Sequence, residues 1–475
     1  MKFSFINPSQ TPGNLDMCSK AWPPLGMLYI AGVLKQEAIE VSALDQTARG
    51  FSEEQVLGWV KKEDPDILGF SVLQSSAKEA LRLAELVKAW NLNITIVMGN
   101  YHATLNDVRI LKKYPCVDVI VRGEGEYTSL NLAKCLEKGQ DLGEVKGITF
   151  RDKGDIVSTP DRPLIKNIDE LPFPDRNLTN AEYTSTVFGV KVATKRFTTV
   201  LSSRGCSFQC SFCGCRKFAR GVWRPRSVEN IMEELEMLQS EGYEEILFVD
   251  DNFTLNKKRA RKLCQEMRKE RLNLRWFCDS RVDNCDYDML RDMVKAGCNG
   301  VYFGIESANQ RILDYYKKGI TPDKSADAVH KARKAGVGII VGSFIVGAPD
   351  ETRSEIENTL NFAQKLDIDV PSISILGAIP GTRVWNDLLN KGLINEDECW
   401  ETGVFVPNVS PNTVSFDQIR SAIYDHFREF YLRPKLLLKE TLRTLKSSYR
   451  IAVVLANLPR IDAIARELRR GVKYG

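Results

Sequence analysis

The apolar positions of the chain fall into short continuous blocks separated by longer, periodic ones. KFSFINP at the start, ILGFSVL (67–73), ITIVMG (94–99) and VDVIVRG (117–123) have the length and composition of strands buried on both faces. Between them, LGMLYIAGVLKQE and SAKEALRLAELVKAWN carry apolar residues three and four apart, the spacing of one helix face. Strand–helix alternation of this kind predicts, over about residues 1–140, an open parallel sheet with helices on both faces. Ligands of such sheets sit at the carboxyl ends of the strands, where Gly99, Gly123 and Gly125 allow a sharp turn or a close approach.

The pattern then changes. In 141–195, EVKGITFRDKGDIVS predicts a hairpin turning at Lys153-Gly154, and IDELPFPDR reads as an extended linker. From about 196 to 385 the alternation resumes with FTTVLS (197–202), EEILFVDD (244–251), LRWFCDSR (274–281), GVYFGIES (300–307), GIIVGSFIVG (338–347) and ISILGA (373–378). Six β/α units in one run predict a partial or complete (β/α) barrel, whose chemistry belongs at the carboxyl ends of its strands. Residues 386–475 read as helical.

Composition narrows the classes. A length of 475 residues predicts two or three domains, and 43% hydrophobic with 27% charged residues is the balance of a folded globular protein. A net charge of +4 makes no case for nucleic acid. The exception is local: from Tyr431 onward eleven Lys/Arg face three acids, interleaved with LLL and IAVVLANL. We expect a helix pair with its apolar side on the barrel; a peripheral contact with an anionic membrane is the other reading. Aromatics are not interleaved with these cations as a nucleic-acid platform requires. Met1 opens directly onto an apolar strand rather than a secretion signal, and no apolar run approaches a membrane span, so the expected location is the cytoplasm.

Twelve cysteines are scattered without a disulfide framework, except for RGCSFQCSFCGC (204–215). This cluster directly follows the first barrel strand. Cys206, Cys210 and Cys213 form C-x3-C-x2-C, and soft thiolates this close suit iron–sulfur or zinc. Structural zinc usually takes a second pair of ligands, and no second pair is near. Three thiolates on a four-iron cluster leave one iron open, which suggests catalysis rather than electron transfer. Cys215 is a fourth thiol that would close that iron if it were a ligand.

A cysteine loop C-x3-C-x2-C after a strand, preceded by Ser-Arg-Gly, resembles the radical S-adenosylmethionine (SAM) enzymes. The resemblance implies a 4Fe-4S cluster on Cys206, Cys210 and Cys213 that chelates SAM and cleaves it to a 5′-deoxyadenosyl radical. It also implies that Phe212 lies near the adenine, that Asp250 and Asn252 bind the SAM amino group, and that Glu306 holds the ribose. Ser207 stands where close relatives usually have proline.

The front segment resembles the cobalamin-binding domains found before such barrels, in the group of the anaerobic magnesium-protoporphyrin monomethyl ester cyclase and related carbon methylases. The shared features include PPLGMLYIAGVL, GEGE, ELPFPDR and FYLRPKLLLK. Where those domains have D-x-H-x-x-G, S-x-L and G-G, this chain has Asp45-Gln-Thr47-x-x-Gly50, Ser71-x-Leu73 and Gly99-Asn100, followed by Gly123-Glu124. Thr47 replaces the histidine that ligates cobalt. The implied function is hydrogen abstraction followed by methylation of a hydrophobic, tetrapyrrole- or lipid-like substrate, with a flavodoxin or ferredoxin as electron donor. Radical cyclisation or carbon–carbon coupling is the alternative, and a non-catalytic corrinoid sensor the alternative of another class.

Overall fold

The computed structural model describes residues 1–10, 22–187, 190–402 and 414–458. The chain divides into two compact units, Met1–Gly189 and Val190–Gly475.

The first unit is built on seven strands: β1 (Lys2–Asn7), β2 (Glu40–Asp45), β3 (Ile67–Ser71), β4 (Thr95–Gly99), β5 (Val119–Val121), β6 (Ile148–Asp152) and β7 (Asp155–Ser158). Their order is β2-β1-β3-β4-β5-β6-β7, the first five parallel. β1, β3, β4 and β5 are the four apolar runs read from the sequence. β2 was not among them: EVSALD buries only its last three residues, because it lies at the sheet edge. The strand order reverses between β1 and β3, the point outside the carboxyl ends where sheets of this order bind their ligands.

The hairpin forms as expected. Lys153 and Gly154 both take positive φ (49° and 97°), as a two-residue turn matching strand twist requires. β6 pairs antiparallel with β5, so the hairpin extends the front sheet. IDELPFPDR is not a free extended linker. It contains a short 3-10 turn, Ile168–Glu170, and buries Ile168, Leu171 and Arg176. Pro172 lies over Gly32, where a Cβ would come within 2.9 Å of the proline ring. Apolar side chains and two low-entropy prolines make this segment cheap to order against the helix Leu25–Gln36.

The second unit carries β8 (Phe197–Val200), β9 (Glu245–Phe248), β10 (Arg275–Arg281), β11 (Cys298–Glu306), β12 (Ile339–Val346) and β13 (Val370–Ile375), all parallel and in sequential order. This is the six-stranded partial barrel. Five of the intervening helices begin at a side chain that accepts from the first turn: Ser227, Asn256, Asp286, Thr321 and Thr352. Each such cap contributes about 1 kcal/mol and times the return from helix to strand. Alternation sets the two faces of β10. Trp276 and Cys278 pack outward into the core beneath the helices, with Phe248 and Phe253 against the indole. Arg275, Phe277, Asp279 and Arg281 therefore face the barrel interior.

The C-terminal region divides in two. Phe416–Leu432, which precedes the basic tail, turns Ile419, Ile423 and Phe430 into the barrel core. Pro434–Leu445 is the reverse: Lys439 and Arg443 reach Asp367 (2.5 and 2.8 Å), while Leu437, Leu438, Leu442 and Leu445 are exposed. Asp367 and Asp369, between helix Arg353–Lys365 and β13, draw the cations inward and so turn the leucines out. Residues 459–475 of the basic tail lie outside the described residues. Among the described residues no helix is long and apolar enough to cross a membrane.

Tyr449, 5% exposed, lies beside the amino ends of the strands. Its hydroxyl donates to the Val192 carbonyl at 2.9 Å, and the Arg275 guanidinium lies 4.4 Å from its ring centre. Tyr449→Phe is expected to cost about 1 kcal/mol and Tyr449→Ala about 3 kcal/mol, read as the second unit's transition in urea unfolding.

Candidate active site

β8 runs out into Ser202 and Ser203, and the first cysteine of the loop follows three residues later. Asp250, just past β9 and 1% exposed, accepts the Ser202 N–H (2.7 Å) on Oδ1. Its Oδ2 accepts the hydroxyls of Ser202 (2.6 Å) and Ser203 (2.5 Å). Burial pushes this carboxyl up, and the serine donors oppose the shift. Gly205 has φ +84°, and a Cβ there would sit 2.2 Å from the Val222 carbonyl oxygen. Ser203–Arg204 pairs with Arg224–Pro225 across that gap, a closeness that only glycine permits. The Gly205 N–H donates to Asp251 Oδ2 at 3.0 Å.

Cys206, Cys210 and Cys213 project from the loop with free, partly buried thiols. Cys206 is close enough to feel charge on both other sulfurs, and burial pushes its thiol up. Burial also raises Cys210, but Lys318 and Arg281 favour its thiolate. Cys213 is drawn down to about 7 by hydrogen bonding from the Cys215 thiol, which is itself pushed up by that contact. Cys215 opens the helix Cys215–Ala219 beside Cys213. Coupled soft donors walled by two cations suit an anionic iron–sulfur cluster.

The residues expected at SAM divide between the cavity side and the supporting side. Phe212 meets Tyr316 edge-on at 5.1 Å, and Ser211 binds the Tyr316 and Tyr315 carbonyls from its N–H and hydroxyl, both at 2.9 Å. Glu306 ends β11 at a register shift with φ +67°, strain of the sort found at functional sites. It is paired with Lys318 at 2.5 Å. Asp250 has both oxygens engaged by the serines and supports the loop from behind. Asn252 is buried, with Oδ1 accepting from Thr254 (3.2 Å) and Nδ2 without a partner. Asp251, one residue along, is the exposed acid beside the thiols.

Sequence reasoning missed Arg281, Lys318, Asp251 and Asp279. Arg281 binds Asp283 in a fork (3.0 and 2.9 Å), the Lys318 carbonyl (2.5 Å) and Cys210 Sγ (3.7 Å). Asp279 stands one pleat below it and opens onto the barrel interior; loss of solvation among the surrounding protein atoms, then Asp250 and Asp251, push it up to about 7. A signal existed. RWFCDSR places Arg275, Asp279 and Arg281 at alternate positions of an otherwise apolar strand, so all three charges must point inward.

In the front unit the motif residues gather at the carboxyl ends of β2 to β5. Asp45 caps the short helix Gln46–Arg49 through Ala48 N–H (3.0 Å) and also accepts from Asn7 Nδ2 at 3.1 Å. Thr47 Oγ1 is buried without a hydrogen-bond partner. Gly50 and Gly123 have positive φ (64° and 71°), and Ser71 accepts from Asn100 at 3.0 Å. Leu73 is 37% exposed, and Glu124 accepts the Ile165 N–H at 2.7 Å, pinning the returning chain. His102 is buried and pushed down to about 4 by that burial. Open glycines and an orphaned hydroxyl at these strand ends suit a corrinoid held without imidazole from position 47.

The Radical SAM superfamily profile matches residues 200–363, and the B12 binding domain profile matches residues 18–133. The chain is 37% identical to an uncharacterized methyltransferase of Pyrococcus horikoshii over 93% of this chain and 94% of that one. It is 29% identical to the anaerobic magnesium-protoporphyrin IX monomethyl ester cyclase of Cereibacter sphaeroides, over 92% and 71%. Among solved structures, the cobalamin-dependent SAM radical enzyme OxsB with aqua-cobalamin and SAM bound superposes with a TM-score of 0.74 at 18% identity, covering 96% of this chain and 72% of that one. TsrM of Kitasatospora setae, a radical SAM methyltransferase, gives 0.68 at 19% identity over 82% and 78%.

Two outcomes follow from the geometry. Gly205→Ala is expected to abolish cluster loading while leaving the far-UV circular dichroism intact, read as iron and sulfide content after reconstitution. Asp279 binds its proton more tightly folded than unfolded, so its contribution to stability is present below pH 4 and is lost as pH rises to about 7. Asp279→Asn should therefore flatten the fall in melting temperature between pH 4.5 and 7.5, measured against wild type.

Proposed function

Because the chain belongs to the B12-binding radical SAM enzymes, we propose that it methylates an unactivated carbon of a small-molecule substrate. When bound, the cluster and SAM supply a 5′-deoxyadenosyl radical that removes hydrogen from that carbon, and a corrinoid supplies a transferable methyl group. The observation that carries this reading is the set of three free thiols on one loop at the carboxyl end of a parallel barrel, in a chain whose front sheet also has a strand-order switch point.

The chain's own residues have separable tasks. Cys206, Cys210 and Cys213 hold the cluster, and Gly205 with Asp250 fixes the loop that carries them. Phe212 on Tyr316 offers an apolar wall for the adenine. Glu306, presented at a strained strand end, receives the ribose hydroxyls, and Asp251 with Asn252 faces the amino group. At the strand ends of the front sheet Asp45, Thr47, Gly50, Ser71, Leu73, Gly99, Gly123 and Glu124 shape the corrinoid site.

The barrel interior adds polar groups to the expectation of a hydrophobic, tetrapyrrole- or lipid-like substrate. Tyr302 donates to Ser372 at 3.0 Å, and Asp279 shares that inner face, so the substrate is one with hydrogen-bonding groups beside its apolar body. The second reading, radical ring closure, is favoured by the similarity to the cyclase along nearly the whole chain. Either reading needs a one-electron donor of the flavodoxin or ferredoxin class and a reducing compartment. The outward leucines of Pro434–Leu445 are where a peripheral contact with lipid or a greasy substrate belongs.

The test is anaerobic reconstitution with iron, sulfide and hydroxocobalamin, desalting, then addition of SAM and a strong reductant. We expect retained corrinoid absorbance and 5′-deoxyadenosine that falls in Cys210→Ala to the level of spontaneous SAM decay. Deoxyadenosine without corrinoid would favour ring closure. Corrinoid without deoxyadenosine, in the presence of candidate substrates, would overturn the enzymatic reading in favour of a sensor.

A further inference from the structure

The cysteine loop is not treated symmetrically by its surroundings. Cys206 and Cys213 each receive a backbone N–H, from Phe208 and Cys215. Cys210 instead receives a guanidinium. Arg281 is 6% exposed, and its donors are directed. Nε and Nη2 grip the two oxygens of Asp283, Nη2 also donates to the Lys318 carbonyl, and Nη1 points at Cys210 Sγ, 3.7 Å away. The guanidinium carbon sits 3.7 Å from the ring centre of Phe208, a residue of the cysteine loop itself. The cation is thus held by a carboxylate fork, a carbonyl and an aromatic face, which leaves Nη1 with the sulfur as its partner.

We infer that Arg281 is a positioning residue that sets the reduction potential of the cluster through Cys210. This inference rests on the cluster assignment above and deepens it. Adding one electron to the oxidised cluster increases the negative charge on its sulfurs. A fixed N–H donor and positive charge at one thiolate stabilise that reduced state more than the oxidised one. The potential therefore rises, and an external donor of the flavodoxin or ferredoxin class transfers its electron more readily. Asp283 offsets the net charge but fixes the orientation, so the directed N–H is the larger share of the effect. Phe208 couples the cation to the loop: displacing Arg281 also frees the ring that braces the segment between Cys206 and Cys210.

The test is an EPR-monitored redox titration of reconstituted full-length protein without SAM, comparing wild type with Arg281→Gln, Arg281→Lys and Asp283→Asn. Arg281→Gln is expected to lower the reduced-to-oxidised ratio at a fixed potential about tenfold, which is about 59 mV for one electron. Arg281→Lys keeps the charge without the fork and should fall between Arg281→Gln and wild type, and Asp283→Asn loosens the fork and unmasks the cation, so its midpoint should move away from that of wild type. An unchanged midpoint in Arg281→Gln with full iron content would overturn the inference. Should Arg281→Gln not load its cluster, unchanged midpoints in the other two variants would overturn it instead. Adding SAM afterwards separates the two levels: an EPR signal that responds to SAM with an unmoved midpoint sinks only the role of Arg281. A signal that ignores SAM in the wild type sinks the functional reading.

Discussion

Two serines at the end of one strand and an aspartate at the end of the next hold the functional end of the barrel together. Asp250 takes three hydrogen bonds from Ser202 and Ser203 in a fully buried position, tying the exit of β8 to the exit of β9. Arg259 reinforces the same point by donating to the Ser202 carbonyl and the Arg226 carbonyl. A buried carboxylate without donors would cost several kcal/mol, so this arrangement is all or nothing. With it, the chain must leave β8 in one direction, turn at Gly205 and present three thiols over the strand ends.

That constraint propagates into the chemistry. Because the loop is fixed, Asp251 faces the thiols while Asp250 supports them from behind, and neighbouring acids take opposite roles. The inward face of β10 then supplies the charges: Arg281 at the level of the cysteines, Asp279 one pleat deeper, and Arg275 paired with Glu245 at the amino end, where Tyr449 packs. Lys318 bridges the set, its carbonyl held by Arg281 and its ammonium by Glu306. The site is therefore a polar column inside an apolar shell, with Trp276 and Cys278 on the other side of the same strand packing as ordinary core.

The C-terminal helices show how the same interior logic reaches the surface. Asp369 is engaged by Arg333, Arg443 and Arg450, and Asp367 by Lys439 and Arg443. Such a network outweighs the modest gain from burying leucines that a single helix offers. Pro434–Leu445 accordingly docks by its charges. The amphipathic pattern of KLLLKETLRTL was readable, but periodicity names two faces without saying which one meets the protein.

Much of this molecule was legible from the order of its residues. The apolar runs marked ten of the eleven parallel strands that form the two sheets, because a strand buried on both faces has nothing but apolar residues to offer. Lys153-Gly154 marked the hairpin because few residue pairs accept positive φ twice. Cys206, Cys210 and Cys213 announced themselves because close thiols have few uses. What depended on tertiary structure was everything set by direction: β2 at a sheet edge, where half-burial dilutes the pattern; the linker prolines seated on Gly32; the turning of Asp250 onto the serines and of Asp251 towards the thiols. The guanidinium aimed at Cys210 comes from a residue 71 positions away. Periodicity along a chain encodes which residues share a face, but only the packing of strand on strand decides what that face looks upon.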